Sequence, residues 1–157
     1  MKVISKVIQN NKTIPRKFIC SNQGGKNYSP DIKWTSVLNA KSYVVLVFDP
    51  DAPSGTWFHW LLTNIPPEIK KLPTLPASQE KTLEVSGKKI KQGKNSWNKL
   101  GYIGPCPPPG KKHRYYYMVY ALDTVINDIV YIPETFLATI KGHVIDKGHI
   151  IGIFERK

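Results

Sequence analysis

Residues 43–55 read Tyr43-Val44-Val45-Leu46-Val47-Phe48-Asp49-Pro50-Asp51-Ala52-Pro53-Ser54-Gly55, and Trp57-Phe58-His59-Trp60-Leu61-Leu62-Thr63 follows one residue later. The first run is β-branched and aromatic up to Asp49, a composition that fits a pleated, packed strand. Two prolines, two aspartates and a glycine within seven residues then mark a chain reversal. The second run is again strand-like and stops at Asn64-Ile65-Pro66-Pro67. The period along both runs is two rather than 3.6, so this stretch predicts strands joined by a sharp corner.

The same reading extends outward. Residues 113–122 are apolar on both faces, as expected of a central strand covered on both sides. Shorter strands are expected at residues 3–8, 32–36 and 150–154. One helix is expected near residues 134–141, with Pro133 in its first turn, Phe136, Leu137 and Ile140 at helical spacing, and Gly142 to end it. Residues 66–76 and 101–110 are Pro/Gly-rich connections. The chain's thirteen prolines and eleven glycines imply the frequent reversals of a Greek-key β domain. Residues 86–100 are Lys-rich and weakly patterned, which predicts an exposed, mobile loop. The expectation is one mainly β domain over residues 1–157, since this length fits a single core.

Lys and Arg total 23 against 11 Asp and Glu, giving a formal net charge of +12. Such a charge attracts polyanions through long-range, salt-screened forces but names no partner. Single-strand binders line basic grooves with stacking aromatics. Here the rings lie within apolar strand runs and the lysines are scattered, so only nonspecific nucleic-acid affinity is expected. Residues 1–10 lack the apolar stretch of a signal peptide, and runs such as residues 44–48 are too short to span a bilayer. A cytoplasmic protein, not integral to a membrane, is therefore expected. Cys20 and Cys106 are read as free thiols, because cytosolic chains of ordinary mesophiles rarely keep disulfides; hyperthermophile chains are the exception. Two cysteines leave too few ligands for a zinc site, and no metal or cofactor is expected.

Strict alternation would place Trp57, His59, Leu61 and Thr63 on one strand face, with Phe58, Trp60 and Leu62 on the other. His113, Tyr115 and Tyr117 would likewise share a face. If both histidine faces meet one cavity, Asp49 and Asp51 are placed to hold the imidazoles in a set tautomer. Imidazoles titrating near pH ~6.5 would donate to an anion, more strongly once protonated. The rigid segment Gly104-Pro105-Cys106-Pro107 adds a backbone-rich wall, with the N–H groups of Gly104 and Cys106 as an anion nest.

These residues together resemble the phosphatidylethanolamine-binding protein family, in its short prokaryotic and archaeal branch of Raf-kinase-inhibitor-like proteins. The resemblance rests on Asp49-Pro50-Asp51-Ala52-Pro53, Trp57-Phe58-His59-Trp60 and Gly104-Pro105-Cys106-Pro107-Pro108-Pro109-Gly110, with His113-Arg114-Tyr115 beyond. Ser29-Pro30-Asp31-Ile32-Lys33-Trp34 and the spacing of Gly142-His143 and Gly148-His149 extend it along nearly the whole chain. It implies two antiparallel sheets with Greek-key connections, one or two short helices, and a pocket accepting a phosphate, sulfate or carboxylate group. Carried over by position, the pocket residues are Asp49, Asp51, Pro53, Trp57, His59, Gly104, Cys106, Pro107, His113 and Tyr115. A cis bond at Ala52-Pro53 is implied as well, and so is a homodimer. The family's animal members carry a C-terminal helical extension that this chain lacks after Phe154, which weakens any kinase-regulating role.

The implied function is noncatalytic binding of an anionic head group, with a serine protease or kinase as the regulated partner. Against it stands phosphate-ester hydrolysis by His59 and His113 with Asp49 and Asp51. Neither a nucleophile elbow nor an HExxH motif accompanies those residues, so binding is the preferred expectation.

Overall fold

The computed structural model describes residues 1–126 and 132–157. Their strands are, in chain order, β1 Val3–Ile4, β2 Lys12–Thr13, β3 Tyr28–Ser29, β4 Ile32–Trp34, β5 Ser42–Asp49, β6 Trp57–Ile65, β7 Lys71–Leu72, β8 Leu75–Pro76, β9 Thr82–Val85, β10 Lys88–Gln92, β11 His113–Leu122 and β12 Val144–Phe154. The α-helix α1, Pro133–Ile140, precedes β12, and two 3-10 turns, Arg16–Phe18 and Ser21–Gln23, lie between β2 and β3. The mainly β, antiparallel expectation holds. The strands fall into three sheets rather than two, and β2 joins β12 in parallel.

The largest sheet has the order β2-β12-β11-β5-β6-β10-β9. From β10 the chain makes a long connection and returns as β11 beside β5, a Greek-key return. β5 and β11 thus occupy the middle of the sheet. Val45 and Val47 of β5 and Tyr115, Tyr117 and Val119 of β11 point into the main core. Val44 and Leu46 face the other way and pack against Phe136 and Ile140 of α1. Burial on both sides explains why the β5 sequence shows no polar face. Among the described residues no helix is long and apolar enough to cross a membrane.

Residues 86–100 correct the expectation of a mobile loop. β9 and β10 form a hairpin on the edge of the main sheet, and Ile90, Gln92 and Asn95 are buried. The Gln92 amide accepts from Trp60 Nε1 and donates to the Ser78 and Glu80 carbonyls. Gly93 N and Ser96 N then donate to the Leu61 and Phe58 carbonyls, so the connection continues along β6. Lys88 and Lys89 are exposed positions of β10, which lies between β6 and the edge strand β9.

Candidate functional site

Strict alternation fails at His59, and the failure builds the site. In the β5–β6 register Asp49 lies opposite Trp57 and Phe48 opposite Phe58, but Val47 lies opposite Trp60. His59 is therefore the extra residue of a β-bulge, a feature that bends a strand and re-aims its side chains. Beyond it the faces exchange: Trp60 and Leu62 enter the main core, while Leu61 joins Phe58 on the α1 side. The shared face of His59, Leu61 and Thr63 expected from period two is thereby overturned.

The bulged residue is clamped by the returning chain. Ile103 N donates to the His59 carbonyl at 3.1 Å, and His59 Nδ1 donates to the Ile103 carbonyl at 2.5 Å. That second bond fixes the tautomer, leaving Nε2 unprotonated in the neutral ring. Burial of the ring, only partly opposed by the Ile103 carbonyl, lowers its pKa to about 4. His59 is thus neutral at pH 6, which corrects the expectation of an imidazole that charges near pH ~6.5.

Across the cavity, His113 opens β11 and is equally buried. Its Nδ1 donates to Asp49 Oδ2 at 2.6 Å, and Asp49 Oδ1 accepts from Asp51 N at 2.7 Å. Two residues along β11, Tyr115 is fully buried, and its hydroxyl has no hydrogen-bond partner among the described residues. Burial, and then the negative charge of Asp49, push the phenol's pKa far up, so Tyr115 acts only as a neutral O–H.

These side chains enclose a cavity of about 220 Å³ lined by Asp49, Ala52, Pro53, Ser54, Trp57, His59, Trp97, Cys106, Pro107, Pro108, His113 and Tyr115. The buried polar groups form its floor, and the exposed Pro53, Ser54 and Pro108 its mouth. Eight of the ten residues singled out from the sequence meet here. Asp51 and Gly104 do not. Asp51 makes a two-pronged ion pair with the Arg114 guanidinium, both contacts at 2.9 Å, which holds its pKa at about 2. Asp51 is therefore no partner for either histidine. Gly104 N donates to Asn27 Oδ1 at 2.8 Å, and an added Cβ would lie 2.1 Å from the Phe18 carbonyl. That glycine serves close backbone packing, not an anion nest.

Two further expectations are corrected. Cys20 and Cys106 are joined in a disulfide with a Cα–Cα distance of 5.4 Å. Cys20 N donates to the Pro105 carbonyl, which brings the two segments side by side. The described residues contain no cis peptide bond. The corner after Asp49 closes instead with Gly55 N donating to the Ala52 carbonyl, Gly55 taking a positive φ of 105°.

Sequence reasoning missed Trp97. Its ring centroid lies 5.5 Å from that of Trp57 and 5.1 Å from that of His59, both edge-on. A lone aromatic in a Lys-rich stretch gave little signal; the buried Asn95, whose Oδ1 accepts from Trp97 N, is what places it. Chemically, the floor can orient a proton-bearing ligand, and the Asp49–His113 pair could accept a proton. No group of three or more His, Cys, Asp or Glu among the described residues is arranged to hold a metal ion.

Residues 4–155 match the family model described as phosphatidylethanolamine-binding protein. A UPF0098 protein of Pyrococcus horikoshii is 40% identical over 157 residues, covering 98% of this chain and 76% of that protein. Among solved structures, YbcL of Escherichia coli, described as a member of the mammalian PEBP family, superposes with a TM-score of 0.89. It is 31% identical, with 99% of this chain and 98% of that one covered. A PEBP homolog of Chlamydia trachomatis superposes with a TM-score of 0.82 at 32% identity, covering 99% and 97%.

Proposed function

The chain belongs to the phosphatidylethanolamine-binding protein family, and on that premise we propose that it works by binding a small anionic head group in the cavity, not by catalysis. The observation that carries this reading is the Tyr115 hydroxyl, without a partner among the described residues and buried beside two histidines and a carboxylate at the floor of the cavity. A buried polar group without a partner costs about 1–3 kcal/mol, and a ligand oxygen would recover that cost. The head group is a phosphate, sulfate or carboxylate, and the regulated partner a serine protease or kinase.

Amide shifts recorded during titration with phosphate and phosphoethanolamine test this. Saturable shifts confined to Asp49, His59, Cys106, His113, Tyr115 and their neighbours, and lost in His59→Ala, are expected. Diffuse shifts that follow the lysines and vanish with salt would overturn the assignment. The Asp49–His113 pair favours one competing reading, phosphate-ester hydrolysis with Ser54 at the mouth. Release of inorganic phosphate from phosphoethanolamine over hours, abolished in Asp49→Asn, would establish it; no release is expected.

A further inference from the structure

For a cavity in a protein of net charge +12, this one is short of cations. Neither Lys nor Arg is among its lining residues. Arg114, next in sequence to the lining His113, is committed to Asp51. The titratable groups that face the cavity can be named element by element. β5 supplies the Asp49 carboxylate, β6 supplies His59, and β11 supplies His113 and Tyr115. The connection before β11 adds only Trp97, prolines and a disulfide-bonded cysteine.

The proton census of those groups decides what fits. His59 gives its Nδ1–H to the Ile103 carbonyl and keeps a lone pair on Nε2. Asp49 and His113 share a hydrogen bond, so the pair carries a net charge of zero if the imidazole is protonated and minus one if it is not. In neither state does it supply net positive charge. Tyr115 brings one donor hydroxyl. A fully ionised dianion would therefore meet a carboxylate and a nitrogen lone pair, with one assured side-chain donor on the floor. An anion carrying its own O–H meets a matched set.

Resting on the anion-pocket reading above, we propose that the cavity takes a phosphate monoester as its singly protonated monoanion, the ligand's P–OH donating to His59 Nε2 and Tyr115 donating to an unprotonated oxygen. His59 adds no titration of its own above pH 5, since burial keeps its pKa at about 4. The pH dependence of binding is then shared by the ligand and the Asp49–His113 pair, and the sulfate control reads the pair's part alone. The second ionisation of a phosphate monoester lies near pH ~6, so affinity falls about 100-fold between pH 5 and pH 8. Sulfate, which stays a dianion over this range, binds weakly with no such slope. A phosphodiester has no P–OH, which separates the two sources of this chemistry: a free phosphorylated metabolite and a lipid head group.

The experiment measures the affinity of phosphoethanolamine, glycerophosphoethanolamine and sulfate by calorimetry from pH 5 to pH 8, with the phosphorus-31 resonance of bound phosphoethanolamine recorded at pH 7.5. Expected are the 100-fold slope, a diester at least about tenfold weaker at pH 5, and a bound resonance at the monoanion position. His59→Gln, whose amide can donate to an unprotonated oxygen, should flatten the slope. If that variant fails to fold, the phosphorus resonance of the unaltered protein still decides. Tight binding with a flat or rising pH profile, a bound dianion signal, or a diester equal to the monoester overturns the proton requirement while leaving the pocket intact. No binding by any probe at any pH overturns both.

Discussion

Two walls of the cavity do the same job by different means. The strand wall is set by the sheet: Asp49 pairs with Trp57 across β5 and β6, His113 and Tyr115 pair with Phe154 and Gly152 across β11 and β12, and His59 bulges between the paired Phe58 and Trp60. The opposite wall, Cys106, Pro107 and Pro108, belongs to the segment 104–108, in which three of five residues are prolines and lack an N–H. It cannot join a sheet, and it is held by single ties instead. Those ties are the Cys20–Cys106 disulfide, Cys20 N donating to the Pro105 carbonyl, Gln23 Nε2 donating to the Pro107 carbonyl, Gly104 N donating to Asn27, and the two Ile103 bonds to His59. A sheet distributes its support over many equivalent bonds, whereas the loop concentrates it in a few. Loss of one tie should therefore move the loop wall much more than the strand wall.

The largest expected effect comes from the covalent tie. It closes a loop 86 residues apart in sequence, so removing it in a Cys20→Ser/Cys106→Ser double variant should cost about 4 kcal/mol. Urea denaturation with and without reductant measures this. Amide shifts at residues 104–108 should broaden or move while those of β11 stay in place. Equal disturbance of both walls would mean that the loop is not separately held.

Acid should act next, and on the strand wall. His59 has a folded pKa of about 4, below the ordinary 6.5. Between these values the unfolded chain takes up a proton that the folded chain refuses. The stabilisation is complete above pH 6.5 and is lost as pH falls towards 4, to the extent of about 3 kcal/mol. A His59→Gln variant should lack this part of the acid loss. If its stability falls with pH as steeply as that of the parent, the histidine is not neutral in the fold.

How much of this was legible in advance follows the same division. β11 was readable to the residue, and β5 to within one, because their apolar runs are bounded by turn residues and buried on both faces. The Asp49–His113 meeting followed from both sitting at strand ends. The bulge at His59 was not readable, since an extra residue leaves no mark on an apolar run; it surfaces only when Val47 is found opposite Trp60. Asp51 was misassigned because its partner, Arg114, is 63 positions away and no local pattern couples them. The loop wall was recognisable as rigid, but its ties reach residues 20, 23 and 27, whose sequence of Cys, Gln and Asn advertises nothing.

A smaller effect tests one of those ties alone. Asn27 donates to the Tyr102 carbonyl at 3.2 Å and accepts from Gly104 N at 2.8 Å. Asn27→Ala strands the buried Gly104 N–H, and a cost of about 2 kcal/mol is expected. Amide exchange at Gly104 should accelerate far more than exchange at Tyr117. A uniform acceleration would show global unfolding to be the route to both, and the two walls to be one cooperative unit.

The smallest expected effect on stability is the most informative about function. In Tyr115→Phe a buried hydroxyl without a partner among the described residues is removed and the ring is kept. Among the described residues no hydrogen bond is lost, so thermal stability should be unchanged or rise slightly. The same change deletes the one side-chain donor on the cavity floor that is neither tied to protein nor dependent on pH. Affinity for phosphoethanolamine should then fall at least about tenfold, because a hydrogen bond to a charged oxygen is worth about 1.5–3 kcal/mol. A ring kept for packing alone would show the same stability but no loss of binding. If instead stability drops and binding persists, the hydroxyl serves the strand wall, and the ligand is held from the loop side.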